Sequence, residues 1–166
     1  MITNAKTPVS LWRKLSAATM VAGTTAILST AALAGQCPAD KVAANAMQNG
    51  ATEPAGVTDE VLTHIDLSKE AIMLNDRMFR LRRLVVQPGG VVPSHSHGDR
   101  PALIYIVDGS ITEYSSNCAV PIEHKAGEAA MESVGLSHWW KNNGSKPAVL
   151  ISADILHTES MGDHMM

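Results

Sequence analysis

Short apolar runs separated by turn residues fill the chain from about residue 79 onward, and they constrain its fold more than any other feature. One run rich in branched side chains ends at the Pro-Gly-Gly of residues 88–90, and the next ends at the Asp-Gly of residues 108–109. A spacing of about ten residues between such runs is typical of an antiparallel sandwich or barrel. No long amphipathic helix is evident after residue 70. The sequence therefore predicts an all-β domain over residues 71–166.

Residues 1–34 have the composition of a secretory signal peptide. Three basic residues precede an uncharged apolar stretch over residues 15–28, and Ala32-Leu33-Ala34 has the small-x-small pattern that signal peptidases cut. An uncleaved membrane anchor is the alternative, but the stretch is shorter than the roughly 20 strongly apolar residues that a spanning helix needs. We expect cleavage after Ala34, which would leave a periplasmic or secreted domain without membrane contact.

The charge balance excludes nucleic acid as a partner. Three of the 13 basic residues and none of the 16 acidic residues lie within residues 1–34, so the remainder has a formal net charge of 10 − 16 = −6. An acidic domain without a basic run offers no electrostatic footprint for nucleic acid or for anionic lipid.

Residues 35–70 are predicted to form an N-terminal arm. The first part is small and polar, with scattered proline and glycine, which indicates a short irregular or helical segment rather than core. The pattern of residues 57–67 does not decide between a short helix and a strand that leads into the barrel.

The two cysteines, Cys37 and Cys118, both follow the predicted cleavage site. In an oxidising compartment an even pair is more often a disulfide than two free thiols. We favour a bridge that ties the start of the arm to the barrel, with two unrelated buried thiols as the alternative.

His95 and His97 are the first residues with metal-ligand spacing. In a strand, residues i and i+2 point to the same face, so both imidazoles can converge on one point. Such pairs also occur on solvated strands, so the pair alone leaves a metal site and an exposed strand as alternatives. His64, His124 and His157 have no partner at such spacing, and we expect each to be structural or exposed.

The spacing around these histidines resembles the two motifs of the cupin superfamily. Gly89, His95, His97 and Gly109 fit the first motif, G(X)5HXH(X)3–4E(X)6G, apart from its glutamate. The second motif, G(X)5PXG(X)2H(X)3N, has serine at position 133 in place of proline and is matched at Gly127, Gly135, His138 and Asn142. The resemblance covers residues 79–155 and implies a small, single-domain jelly-roll barrel.

The resemblance also implies a metal ion in the mouth of the barrel, held by His95 and His97 from one strand and by His138 from another. The family's glutamate position falls on Ala102, which cannot bind a metal. We therefore predict a three-histidine site without the usual carboxylate, for a divalent ion that stays open among Fe, Zn, Mn, Ni and Cu. Asp99 is a candidate fourth ligand, although turn aspartates are more often solvated or capping.

Two aromatic residues are candidates for contact with a small-molecule ligand. Regular alternation after His138 turns Trp140 inward and Trp139 outward, so Trp140 is either an apolar wall beside the metal or ordinary barrel core. Tyr114 is a candidate proton donor, with packing at a strand edge as the alternative.

Two arginines are further candidates for ligand contact. Arg100 lies in a turn near the predicted mouth, where a bidentate pair could hold a carboxylate; a surface ion pair is the alternative. We expect Arg80, Arg82 and Arg83 to be mostly solvated, and of these only Arg82 is a candidate for substrate contact.

Two functions fit these features. The first is a mononuclear, dioxygenase-like metal oxygenase that acts on a small organic molecule through coordination positions left open by the histidines. The second is a non-catalytic periplasmic module that captures a small molecule or the metal itself, which the missing carboxylate favours. Because cupins commonly pair, the resemblance leaves a homodimer open.

Overall fold

The computed structural model describes residues 35–46 and 50–162. The predicted signal peptide, residues 1–34, lies outside these residues. The described chain forms eight strands: β1 Ala55–Asp66, β2 Met78–Ser96, β3 Ala102–Asp108, β4 Ser110–Ser115, β5 Ile122–Lys125, β6 Ala129–Glu132, β7 Ser137–Lys141 and β8 Ala148–Leu156. It also contains short 3₁₀ helices at Ala39–Lys41, Leu67–Lys69 and Thr158–Gly162. Over the same ranges, no helix has the length and apolar character that crossing a membrane requires.

The strands form one antiparallel sheet in the order β5-β4-β7-β2-β8-β3-β6, with β1 beside β2. The sheet curls into a barrel that is nearly but not fully closed, because the end strands β5 and β6 are not paired with each other. We call the gap between β5 and β6 the seam. The all-β jelly-roll class that the sequence predicted is confirmed.

β2 continues through the Pro-Gly-Gly that was expected to end a strand. Its first part pairs with β8, and after Gly90 it pairs with β7. Gly89 has φ 76°, a left-handed conformation that side chains with a Cβ avoid. The backbone of Asn142 holds the bend, because Gly89 N donates to Asn142 O over 2.8 Å and Asn142 N donates to Gly90 O over 3.0 Å. The bend carries the second part of β2 toward the barrel mouth.

The N-terminal arm contains a long strand, contrary to the irregular or helical segment that was expected. β1 runs antiparallel to β2, from Ala55 opposite Val91 to Asp66 opposite Met78. The helical content before it is one short 3₁₀ helix, Ala39–Lys41. The ambiguity over residues 57–67 resolves to a strand because β2 offers it a long free edge.

The barrel interior has an apolar half and a polar half. The apolar half is a cluster that includes Leu84, Ile106, Trp140 and Leu150. The polar half lies toward the opposite end of the same strands, where the inward positions are occupied by buried charged and polar side chains: Arg80, Arg82, His97, Glu113, His124, Glu132, His138, Ser152 and Asp154. Buried ionisable groups require partners, so this half is where chemistry is expected.

Candidate metal centre

Three histidines meet in the polar half of the barrel. His95 lies on β2 opposite His138 on β7, and His97 follows directly after β2. The Nε2 atom of His138 is 3.1 Å from the Nε2 atom of His97 and 3.1 Å from that of His95. The structure therefore brings together the three residues that the motifs identified.

The hydrogen bonds of the three rings leave every Nε2 unprotonated in the neutral form. His95 Nδ1 donates to Pro93 O over 2.9 Å, and His97 Nδ1 donates to Arg100 O over 2.8 Å. His138 Nδ1 donates to Glu113 Oε1 over 2.8 Å. A neutral imidazole carries one proton, so the three Nε2 lone pairs face one another with no proton between them.

Burial keeps two of these imidazoles neutral. Desolvation lowers the pKa of His95 to about 3, with a smaller contribution from His138. Desolvation also lowers the pKa of His97 to about 4. Neutral imidazoles are the form that binds a metal ion.

A carboxylate completes the cluster, so the prediction of a three-histidine site without one is wrong. Glu132 Oε1 is 3.2 Å from His138 Nε2, and Glu132 Oε2 is 3.2 Å from His97 Nε2. Glu132 on β6 lies directly opposite Ala102 on β3. Because residues directly opposite have Cβ atoms about 5 Å apart, the neighbouring strand supplies the carboxylate that position 102 lacks.

The Glu132 carboxylate is not satisfied by the protein alone. Its Oε2 atom is buried and has no hydrogen-bond partner among the described residues. Burial raises the pKa of Glu132 to about 7, against the lowering effect of His138. A buried acceptor without a donor is costly, and a bound cation would remove that cost.

The four side chains fit a single divalent metal ion. One ligand atom from each of His95, His97, Glu132 and His138 lies within 4.8 Å of the others. Ligands about 2.1 Å from a shared ion lie roughly 3.0 Å apart at right angles and roughly 3.4 Å apart in a tetrahedron. The separations of 3.1–3.2 Å between neighbouring ligand atoms fall in this range, and the remaining pairs lie within 4.8 Å.

Asp99 does not join the cluster. Its side chain is exposed, and Oδ2 accepts a hydrogen bond from Nε2 of His157 over 2.7 Å. The side chain points to the surface loop after β8, away from the barrel interior. The favoured interpretation of Asp99 as a solvated turn residue agrees with the structure, and its alternative role as a fourth ligand does not.

A second layer of buried groups supports His138 and was missed by the sequence analysis. Glu113 Oε2 accepts a hydrogen bond from Nε2 of His124 over 2.9 Å, while Oε1 accepts from His138. Burial would raise the pKa of Glu113, but the hydrogen bonds from His124 and His138 outweigh it and hold the pKa at about 2. The alternation of β4 and β5, with Ile111 and Ile122 inward, was the signal that could have placed these side chains inside.

The two aromatic candidates lie on opposite faces. Trp140 is inward and almost fully buried, with its ring centroid 5.4 Å from that of His138. It belongs to the apolar cluster and so forms the floor beneath the histidines. Tyr114 lies on the outer face, stacked on Trp139 with centroids 3.9 Å apart. The placement of Tyr114 in the pocket was wrong, because the inward positions of β4 are occupied by Ile111, Glu113 and Ser115.

The arginines are buried rather than solvated, apart from Arg83. Arg80 donates to both carboxylate oxygens of Asp154 over 3.1 and 2.8 Å. Arg82 donates to Asp59 over 2.5 Å and to Asp154 over 3.4 Å. The expectation of solvated side chains failed because Asp154 on β8 provides an inward counter-charge. Arg82 is held in this network, inside the barrel.

Arg100 borders a small polar cavity at the barrel mouth. The cavity has a volume of about 220 Å³ and is lined by Arg80, Ser96, Asp99, Arg100, Leu156, His157 and Ser160. The Arg100 side chain is 19% exposed, and its nearest counter-charge is Asp154 Oδ2 at 3.7 Å. This distance leaves the guanidinium able to donate to a second anion.

Comparisons with known proteins identify the barrel. Residues 82–154 match the family model described as a cupin domain. This segment is therefore similar to cupin domains. All four side chains of the candidate metal centre lie within it.

The cupin segment is also similar to parts of plant proteins. Nectarin-1 from Nicotiana plumbaginifolia is 31% identical over 83 residues, which cover 48% of this chain and 36% of that protein. Germin-like protein subfamily 2 member 2 from Arabidopsis thaliana is 32% identical over 83 residues, covering 48% of this chain and 38% of that protein. The chain thus spans less than half of the length of these curated relatives.

Among solved structures, a predicted oxalate decarboxylase from Thermotoga maritima is 20% identical, covers 69% of this chain and 99% of its own, and has a TM-score of 0.49. The cupin domain of Cnp3 from Schizosaccharomyces pombe is 16% identical, covers 71% of this chain and 76% of its own, and also has a TM-score of 0.49.

Proposed function

We propose that this chain is an exported metalloprotein that binds one divalent metal ion through His95, His97, His138 and Glu132. The observation that supports this most strongly is the convergence of three Nε2 lone pairs beside the buried carboxylate of Glu132, whose Oε2 atom has no hydrogen-bond partner among the described residues. Without a cation, these acceptors share at most the single proton of a protonated Glu132, and buried acceptors without donors are costly. Glu113 fixes the tautomer of His138, as carboxylates behind metal-binding histidines commonly do.

We further propose that the metal centre serves oxygenase chemistry on a small organic acid. A bound redox metal would supply oxygen activation at coordination positions that the four ligands do not fill. The chain's own contribution is to exclude water on one side with Trp140 and to orient an anionic group on the other with Arg100. A bidentate arginine pair fixes the direction of a carboxylate as well as its position.

The disulfide supports the proposal of export. Cys37 and Cys118 are bonded in the structure, as the sequence analysis favoured. Disulfides persist in oxidising compartments and are rare in the cytosol. Together with the signal-like composition of residues 1–34, this favours a periplasmic or secreted location.

Metal analysis of exported protein, purified without a histidine tag, tests the proposal. We expect close to one equivalent of a divalent metal, and its loss in His138→Ala and Glu132→Ala variants. His64→Ala is the matched control, because His64 is exposed on β1. Protein that holds no divalent metal after incubation with Fe(II), Mn(II) or Zn(II) would overturn the proposal.

Oxygen uptake separates the two functions. For an oxygenase, iron-loaded protein should consume oxygen with at least one member of a panel of small organic acids, and His138→Ala should abolish the uptake. A metal-loaded protein that is stabilised by members of the panel without consuming oxygen is instead a binding module, because a ligand that binds only the folded state raises its stability.

A further inference from the structure

The N-terminal segment closes the seam of the barrel beside the second layer of buried groups. Residues 35–37 line a cavity of about 370 Å³ together with Ile122 of β5, residues 129–131 of β6 and Glu113. The disulfide of Cys37 with Cys118 fixes this segment on the barrel. An isolated antiparallel β-bridge between Val42 and Cys118 also fixes the residues that follow Cys37 on the barrel. Gly35 is therefore held within about 7 Å of a covalent anchor, the reach of two residues.

Gly35 makes an unusually close approach to two polar side chains. A Cβ atom built on Gly35 would lie 2.9 Å from His124 Nδ1 and 3.1 Å from Glu128 Oε2. For a carbon atom the first distance is too short and the second is tight, so a side chain at this position would displace the buried ring of His124. For a nitrogen donor, both distances are ordinary hydrogen-bond lengths.

His124 has an acceptor at this point that the described residues do not satisfy. Its ring is fully buried, and Nε2 donates to Glu113, so in the neutral ring Nδ1 carries a lone pair. Nδ1 has no hydrogen-bond partner among the described residues. Glu128 Oε2 is fixed beside it by a hydrogen bond of 2.9 Å from the backbone N of Lys125. The site thus offers an acceptor and a carboxylate to one cation with several N–H donors.

The predicted cleavage after Ala34 would create such a cation on Gly35. In the uncleaved chain, the Gly35 nitrogen is an amide with one hydrogen and is tethered to residue 34. After hydrolysis it becomes an ammonium group with three donors. A rotation of about 120° about the Cα–C bond of Gly35 moves the nitrogen to the position of the absent Cβ, because both are tetrahedral substituents of Cα with bond lengths near 1.5 Å.

We propose that the α-ammonium group released by cleavage of the Ala34–Gly35 bond docks between His124 Nδ1 and Glu128. This inference rests on the export that we propose above, but it does not depend on metal binding. The docked group completes a hydrogen-bonded chain that runs from the new N-terminus through His124 and Glu113 to His138. Proteolytic maturation thereby satisfies a buried acceptor two hydrogen-bonded residues away from a candidate metal ligand.

The exported full-length protein tests the docking site through the reactivity of its N-terminus. Mass spectrometry is expected to give an N-terminus at Gly35. The pH dependence of α-amino acylation, followed by peptide mapping, then reports the pKa of that group. The groups that face it are His124, Glu128 and, across the cavity, Glu113. We expect the α-amino pKa to lie about one unit above the ordinary range of about 7.7–8.0, because Glu128 stabilises the charged form.

Two variants make the result specific. Glu128→Gln should return the α-amino pKa to the ordinary range, whereas Glu123→Gln, an exposed change on β5, should leave it raised. A serine inserted between Ala34 and Gly35 moves the ammonium group one residue away and should also return the pKa to the ordinary range. It provides a second test if Glu128→Gln does not fold.

The outcomes distinguish this inference from the proposed function. An N-terminus at any residue other than Gly35, or an equal α-amino pKa in the wild type, Glu128→Gln and the insertion variant, overturns the docking. Metal content is measured on the same samples. A raised α-amino pKa in protein that binds no metal would support the docking while refuting the metal site.

Discussion

Replacing Glu132 with glutamine is expected to stabilise the metal-free protein and to weaken the metal-loaded one. Burial raises the pKa of Glu132 from 4.5 to about 7. A carboxyl group whose pKa is raised in the folded state contributes stability below its unfolded pKa and loses it as the pH rises through its folded pKa. For this group the loss falls between about pH 4.5 and pH 7. At 1.36 kcal/mol per pKa unit, the loss is about 3 kcal/mol.

Glutamine has nearly the same shape and does not ionise, so Glu132→Gln should remove this loss. In the presence of EDTA, the free energy of unfolding of the wild type should fall between pH 5 and pH 8 by about 3 kcal/mol more than that of the variant. Other titrating groups contribute to both proteins and cancel in the comparison. Glu123→Gln is the matched control because the Glu123 carboxylate is exposed on β5.

Metal reverses the order of the two proteins. A metal present at 1,000 times its dissociation constant stabilises the wild type by about 4.1 kcal/mol, which exceeds the loss of about 3 kcal/mol from Glu132, and Glu132→Gln should lose most of this gain. Urea unfolding with and without Zn(II) or Mn(II) at pH 8 measures both effects. Identical pH dependence of the two EDTA-treated proteins would refute the destabilising burial of the Glu132 carboxylate, and equal stabilisation by metal would refute its role as a ligand.

Three further predictions follow from the same contacts. Moving the carboxylate across the strand pair, as Ala102→Glu with Glu132→Ala, should restore metal content that Glu132→Ala alone loses; a double variant as metal-free as the single one would contradict the register argument. Glu113→Gln should weaken metal affinity by about 10–100-fold in a competition titration while the fold stays intact by circular dichroism; unchanged affinity would remove its role behind His138. Asp76 and then Asp99 raise the pKa of His157 by hydrogen bonding, so its contribution to stability is present below pH 6.5 and is lost as the pH rises through the raised value. His157→Gln should accordingly reduce the change in melting temperature between pH 6 and pH 8.5. An unchanged pH dependence would contradict a stabilising role of the hydrogen bonds from His157 to Asp76 and Asp99.

The three histidines were predicted through the resemblance to the two cupin motifs, because the spacing of His95 and His97 alone left an exposed strand open and His138 entered only with the second motif. His95 and His97 share a strand face whatever their partners are, and Trp140 follows His138 by the same alternation. The fourth ligand was not predictable in this way. Glu132 becomes a ligand only through the register of β6 against β3, which sequence spacing does not specify. A short strand of four residues between turns gives no signal for that register.

The buried charges were missed for a related reason. Arg80 and Arg82 were expected in solvent because an arginine is rarely buried unless it is paired. Their counter-charge, Asp154, lies more than 70 residues later on β8. The choice between a helix and a strand over residues 57–67 was likewise undecided, because most positions of β1 are exposed and the strand is fixed by its pairing with β2 rather than by its own alternation.

The disulfide at the seam also affects when this domain can fold. It links residues 81 positions apart, and closing a loop of that size removes about 4–5 kcal/mol of chain entropy from the unfolded state. That amount is comparable to the total stability of many domains, about 5–15 kcal/mol. Under the export proposed above, a reduced precursor in the cytosol would therefore be less stable and easier to keep unfolded for translocation. Oxidation after translocation would then raise the folding equilibrium constant by about three orders of magnitude, so that the cysteine pair would set the timing of folding as well as its stability.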